Sequence, residues 1–217
     1  ADELYIQVSR CSTDGSRYVL GQSGDANFNL RQRDCDGTVL AGKRRFVSHL
    51  YYIKNENGTP TLMRSTLQNN GTTVAFSAPQ ALISGVESLR AELGIDTVNA
   101  QTGQNVDYGT GKRGDGVPDS YINSTSNCAT TCAASLMDNL VNVVSANLYV
   151  LVRSSQASPG YTDSKAYQLG PFSVAAANDQ FKRHVFSTNV RFHNVSGRRE
   201  VPPASGSGSD DTNTDTP

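Results

Sequence analysis

No apolar run in the chain approaches the about 20 residues that a membrane-spanning helix needs, so as it stands it is expected to be a water-soluble piece. Tryptophan is absent and histidine occurs three times, at His49, His184 and His193, each inside a stretch that reads as strand. That leaves little material for a histidine-based catalytic centre. No Gly-x-Ser-x-Gly elbow frames a serine either, since the tail pattern Gly206-Ser207-Gly208 is too tight. Charge of one sign is also lacking: 19 Lys and Arg face 20 Asp and Glu, for a net −1. Grip on a polyanion needs a basic face, and Lys43-Arg44-Arg45 is short enough to read as a solvated loop. No nucleic-acid partner is expected. A basic–apolar–cleavage signal does not open the chain. Ala1-Asp2-Glu3 runs straight into Leu4-Tyr5-Ile6-Gln7-Val8, which looks like the cut edge of a longer protein.

What is present suits a loop-rich β protein. Hydrophobic residues make up 36% of the chain and glycine supplies 19 positions, enough apolar material for a core within long polar connections. Four cysteines, Cys11, Cys35, Cys128 and Cys132, lie in separated polar stretches, as disulfides in an oxidising compartment do. Three pairings are open. Cys11–Cys35, closing a Gly/Asp-rich excursion, and Cys128–Cys132, closing a tight local loop, are favoured. The rival is zinc. Cys128-Ala129-Thr130-Thr131-Cys132 alone fits one zinc knuckle, but no second knuckle or nearby histidine completes it.

Leu4, Ile6 and Val8 alternate with Tyr5 and Gln7, the period-2 pattern of a half-buried strand. Residues 9 to 43 form a polar excursion with short strands expected at Tyr18–Leu20 and Phe28–Leu30. Phe46 to Ile53 is rich in aromatic and β-branched residues and is joined by Asn57-Gly58 to Thr61–Arg64, which predicts an antiparallel hairpin. Residues 82 to 95 are ambiguous. Val86, Leu89 and Leu93 fit a helix, whereas Ile83, Leu89, Ala91, Leu93 and Ile95 fit one strand face. A long loop spans 96 to 127, and a loop of that length is usually functional or mobile. A helical turn is expected at Ala134–Asn139. Val144, Ala146, Leu148, Val150 and Val152 share one face of a long strand. Ala166–Leu169 is expected to pair with Phe181–Phe192, where Phe186, Val190 and Phe192 alternate. From Gly197 onward Pro, Ser, Gly, Asp and Thr dominate and cannot bury enough apolar surface to order the chain. The division is therefore a globular domain over 1–197 and a disordered tail over 198–217. About six to eight strands with little helix imply an antiparallel sheet, and such a sheet needs something to cover one face.

The Asp-rich loop raises calcium, with Asp107, Asp115 and Asp119 as hard oxygen ligands beside Gly114 and Gly116. Alternating ligands counted back from Asp115-Gly116 would fall on Arg113 and Gly111, which supply none. A solvated turn fixed by Pro118 and the glycines is the default, with no metal or cofactor. Glu87 and Glu92 could serve a glycosidase only if paired across a cleft, and the sequence offers no reason to pair them.

The order of these segments resembles the PilW-type minor pilins of type IV pili. The resemblance is carried by Asp2–Ile6, Val47–Ile53, Leu62–Arg64, Gly85–Leu89 with Leu93–Asp96, Asp115–Tyr121, Val141–Arg153 and Arg183–Asn194. Each piece is degenerate, while the ordered set is fairly specific and covers about two thirds of the chain. The resemblance implies a mainly β, α+β pilin-like antiparallel sheet domain with long loops, lacking most or all of the N-terminal pilin helix that would cover the sheet. It makes residues 82 to 95 strand. It also implies a non-enzymatic subunit, anchored at the periplasmic face of the inner membrane by that helix. Such a subunit acts with other minor pilins and the assembly machinery to prime the pilus and sit near its tip. Type II secretion minor pseudopilins share that fold and role. A secreted calcium-dependent adhesive β-domain is the reading from another class.

Overall fold

A computed structural model describes residues 3–69, 73–107, 112–123 and 140–193. Within them the fold is mainly β, with fifteen strands in several antiparallel sheets. None of their helices is long and apolar enough to cross a membrane. The helical turn expected at 134–139, the Cys128–Cys132 pair and the tail 198–217 lie outside the described residues. The chain divides into two compact units, Ala1–Leu89 with Leu151–Lys165 and Ala176–His184, and Arg90–Val150 with Ala166–Ala175 and Val185–Pro217.

In the first unit, β1 (Leu4–Val8) is the centre of a three-stranded sheet, between β2 (Tyr18–Gly21) and β3 (Lys43–Phe46). Lys43-Arg44-Arg45 is therefore strand rather than loop, paired with Gln7, Ile6 and Tyr5 but still exposed. Phe28–Leu30 is not a strand. Phe28 and Leu30 are buried instead, and the excursion that carries them is held by the Cys11–Cys35 disulfide. Gln7, buried within β1, clamps it: Nε2 donates to Ala41 O (2.6 Å) and Oε1 accepts from Leu30 N (2.9 Å). Beside the disulfide, Arg31 Nε meets Asp14 Oδ1 at 2.8 Å, and Arg31 N donates to Asp14 Oδ2 at 2.8 Å. The second of these bonds leads in holding the Asp14 carboxyl down at about 2.

The expected hairpin is present as β4 (His49–Glu56) and β5 (Thr59–Asn69), with Glu56 opposite Thr59. Asn57 and Gly58 have φ of 52° and 82°, the double positive φ that a two-residue turn of this hand requires. β5 also pairs with β6 (Val74–Phe76) and β7 (Gln80–Ser84). Residues 82 to 95 are strand, but broken into β7 and β8 (Val86–Ile95) at Gly85. Gly85 has a φ of 86°, and a Cβ there would stand 2.8 Å from Arg153 O. The break means that Ile83 and Ile95 do not share one face of one strand, as their alternation suggested.

β8, β12 (Val143–Arg153) and β15 (Arg183–Arg191) contribute residues to both units and, with β11 (Ser120–Asn123), follow the order β11-β8-β12-β15. The long strand read at Val144–Val152 is β12. Val144 and Ala146 are buried, but so is Leu151 from the opposite face, while Leu148, Val150 and Val152 stay half-exposed. In the second unit, β9 (Val98–Asn99) and β10 (Gln104–Asn105) form a small ladder. The region 96 to 123 is thus a loop carrying three strands. β13 (Tyr167–Leu169) pairs with β14 (Phe172–Val174), not with 181–192 as expected. Its turn turns on Gly170, with a φ of 60°, where a Cβ would stand 2.6 Å from the Tyr149 ring. That ring donates its hydroxyl to Glu92 Oε2 at 2.7 Å, which raises the phenol above its ordinary value.

Candidate functional site

The segment from Asp96 to Tyr121 in the second unit is organised by carboxylates. Asp119 Oδ2 accepts from Thr97 N (2.7 Å), Val98 N (2.8 Å) and the Thr97 hydroxyl (3.3 Å). Asp115 reaches the same stretch: Oδ2 accepts from Ala100 N (3.1 Å) and Oδ1 from Val117 N (2.9 Å). Asp96, fully buried at the end of β8, accepts from Gly116 N at 2.8 Å. Gly114 is glycine for a steric reason, because a Cβ would run into the Asp96 carboxylate. Asn99 ties the far side, its amide donating to Arg113 O (3.1 Å) and its Oδ1 accepting from Gln101 N (3.0 Å). These short polar side chains satisfy backbone donors that no sheet ladder reaches.

Of the three residues considered for calcium, Asp115 and Asp119 converge on one backbone stretch, and Asp107 pairs through its backbone with Lys112. Among the described residues no three His, Cys, Asp or Glu side chains gather as a metal ion would need. Asp96 is the member of this set that sequence reading missed. Its only signal was its place just past a strand and before a glycine-rich run.

The loop so held delivers Val117, Pro118 and Tyr121 to the surface. Val117 is 58% exposed and Tyr121 44%. Together with Val144, Ser145, Asn189 and Arg191 they line a shallow cleft of about 260 Å³. Gly94 lets this rim close in, since a Cβ there would meet Ser145 Oγ, Pro118 Cβ (2.9 Å) and Tyr121 Cε1 (3.0 Å).

The other concentration of charge lies in the first unit. Arg183, its side chain 5% exposed, donates to both oxygens of Glu87 (2.6 and 2.9 Å), both of Asp179 (2.6 and 2.7 Å) and to Asp163 Oδ2 (2.9 Å). Arg153 lies 3.7 Å from Glu87 and stacks over Phe181 at 4.2 Å. The Asp179 carboxyl is held at about 2, chiefly by its bonds from Arg183. Asp179 and then Glu87 raise the guanidinium above its usual value. Glu87 and Glu92, weighed together for hydrolysis, have separate partners, Arg183 and Tyr149. His49 Nδ1 meets the Thr66 hydroxyl at 3.0 Å. A guanidinium ringed by carboxylates has no free base or nucleophile to offer and works as a structural pin.

Comparison with known proteins bears on both places. The family model described as Type IV Pilus-assembly protein W matches residues 50–194. Neither a curated protein nor a solved structure matches the chain. The matched span takes in the Asp-held loop, its cleft and the whole Arg183 cluster, and covers well over half of the sequence; the chain belongs to the type IV pilus-assembly protein W family.

Proposed function

We propose that the chain is the globular head of a minor pilin, non-enzymatic and without a metal or cofactor. It works in the periplasm and at the pilus by contact with other minor pilins as assembly is primed. The observation that carries this reading is the Asp-held loop. Asp96, Asp115 and Asp119 fix a backbone whose tip presents exposed apolar groups, Val117 and Tyr121, with Pro118 half-buried beside them. An apolar tip held in place before binding loses little conformational freedom on docking, which favours association. Exposed apolar groups beside a cleft mark interaction surfaces rather than reaction centres. A membrane anchor upstream belongs to this reading, because the family resemblance carries it.

Val117→Asp tests it, since Val117 is open to solvent and the substitution leaves the loop's carboxylate bonds in place. With the thermal midpoint unchanged, co-purification of the full-length protein with its partner minor pilins should fall at least tenfold, and surface piliation with it. Undiminished association would discard the loop as the contact. The calcium-dependent reading has its own test. Calorimetric titration with calcium should give no saturable heat, because Asp115 and Asp119 already bond backbone N–H groups.

A further inference from the structure

The sheet β2-β1-β3 has two faces that differ sharply. On one, Gln7 and Lys43 lie opposite each other, Gln7 buried beneath the excursion and Lys43 exposed at its edge. Gln7 bonds Ala41 and Leu30, while Lys43 donates to Ser23 O (2.7 Å) and sits 5.3 Å over the Phe28 ring. On the other, Leu20, Ile6 and Arg44 form one row and Tyr18 and Val8 the next. Val8 is 53% exposed and Tyr18 61%. A groove of about 400 Å³ runs along this face, lined by Ile6, Val8, Arg10, Gln32, Gly42 and Arg44 among others.

Charge sets this groove apart. Arg31 and Arg45 nearby in sequence are each paired, with Asp14 at 2.8 Å and Glu3 at 2.9 Å. Arg10 and Arg44 make no ion pair among the described residues, and no carboxylate lines the groove. Two arginines therefore flank an apolar floor with nothing of opposite sign. We propose that this groove docks an acidic segment of a partner protein, with carboxylates on Arg10 and Arg44 and an aliphatic or aromatic side chain on Ile6 and Val8. Arg pairs carboxylates in a planar fork, which fixes the orientation of a segment as well as its charge. A polyanionic partner such as a lipid surface suits it less, because two arginines in a chain of net charge −1 make no broad basic field. The groove lies outside the span matched by the family model, 50–194. The inference therefore adds a surface to the loop contact proposed above without resting on it.

The test is fluorescence anisotropy of the purified chain with a labelled short peptide in which Asp and Glu flank a central Leu-Phe pair. Two further probes carry the same peptide with the acids replaced by amides or by lysines. Wild type should bind the acidic peptide at least tenfold more tightly than the amide one. Arg10→Glu/Arg44→Glu should lose at least tenfold toward the acidic peptide and gain affinity for the lysine peptide. Lys165→Glu/Lys182→Glu, which changes charge equally at exposed positions that do not line the groove, should bind as wild type does. Absent binding, equal binding of acidic and amide peptides, or binding indifferent to Arg10 and Arg44 would overturn the proposal. So would arginine-dependent binding of phosphatidylglycerol vesicles without binding of the acidic peptide.

Discussion

Carboxylates organise both the Arg183 cluster and the Asp96–Asp119 loop, yet their donors differ, and so does the result. Around Arg183 three carboxylates share one buried guanidinium and draw together strand and loop residues as far apart in sequence as Glu87 and Arg183. In the loop the carboxylates take backbone N–H groups instead, most of them 15 to 22 residues away across the loop and largely at the surface. A buried charge cluster makes long-range contacts that are expensive to break singly, because the remaining charges are left without solvent or partner. Backbone capping at the surface shapes a local segment, and water can stand in when it is lost. The first device fixes a fold, and the second aims a tip.

Removing one partner from each place separates the two. Arg183→Met leaves Glu87, Asp163 and Asp179 without their cation, and should destabilise the protein by about 3–5 kcal/mol in urea unfolding. Arg183→Lys should recover only part of that, because an ammonium cannot fork to two carboxylates. A loss below about 1 kcal/mol for Arg183→Met would mean that the cluster is not what joins these segments. Asp119→Ala removes the acceptor of Thr97 N and Val98 N. It should cost only about 1 kcal/mol, since both donors are near water. Its signature is local: the amide hydrogens of Thr97 and Val98 should exchange faster, while those of β12 keep their protection.

The contrast also explains what could be read from sequence. Asn57-Gly58, the alternation of Leu4, Ile6 and Val8, and the apolar run of β12 are local signals, and each became the element it predicted. The mainly β fold and the family followed from such pieces in order. Pairing was harder. Tyr167–Leu169 turns back on Phe172–Val174 because Gly170 permits a φ of 60°, a tight local turn that a lone glycine between short segments signals only weakly. The basic run at Lys43–Arg45 looked like a loop because three charges hide strand periodicity, yet its register with β1 sends Lys43 and Arg44 to opposite faces. Arg183 was legible only as a residue of a strand. Nothing in its neighbourhood announces Glu87 or Asp163, since ion pairing across long separations leaves no period in the chain. Asp115 and Asp119 raise calcium by their chemistry, and with Arg113 and Gly111 where further ligands would fall a solvated turn is the default; their partners are backbone amides, which every sequence has and none displays.

Acid provides the mildest way to open the cluster. The Asp179 carboxyl titrates at about 2 in the folded protein, against an ordinary 3.8. A depressed carboxylate contributes stability that is fully present above its unfolded value and is lost as pH falls through the folded one. Asp179 should therefore support the fold at pH 5 and progressively cease to do so between about 4 and 2. Asp14, also held at about 2, adds to the same window from the disulfide-closed excursion. Because a third of the Asp179 side chain is open to solvent, its share should be small beside that of Arg183. Urea midpoints at pH 5, 3 and 2 measure the slope, and Asp179→Asn isolates its origin. The variant should be less stable than wild type at pH 5 and converge toward it near pH 2. A difference that stays constant across that range would show that Asp179 acts through its shape and hydrogen bonds, with its charge contributing nothing.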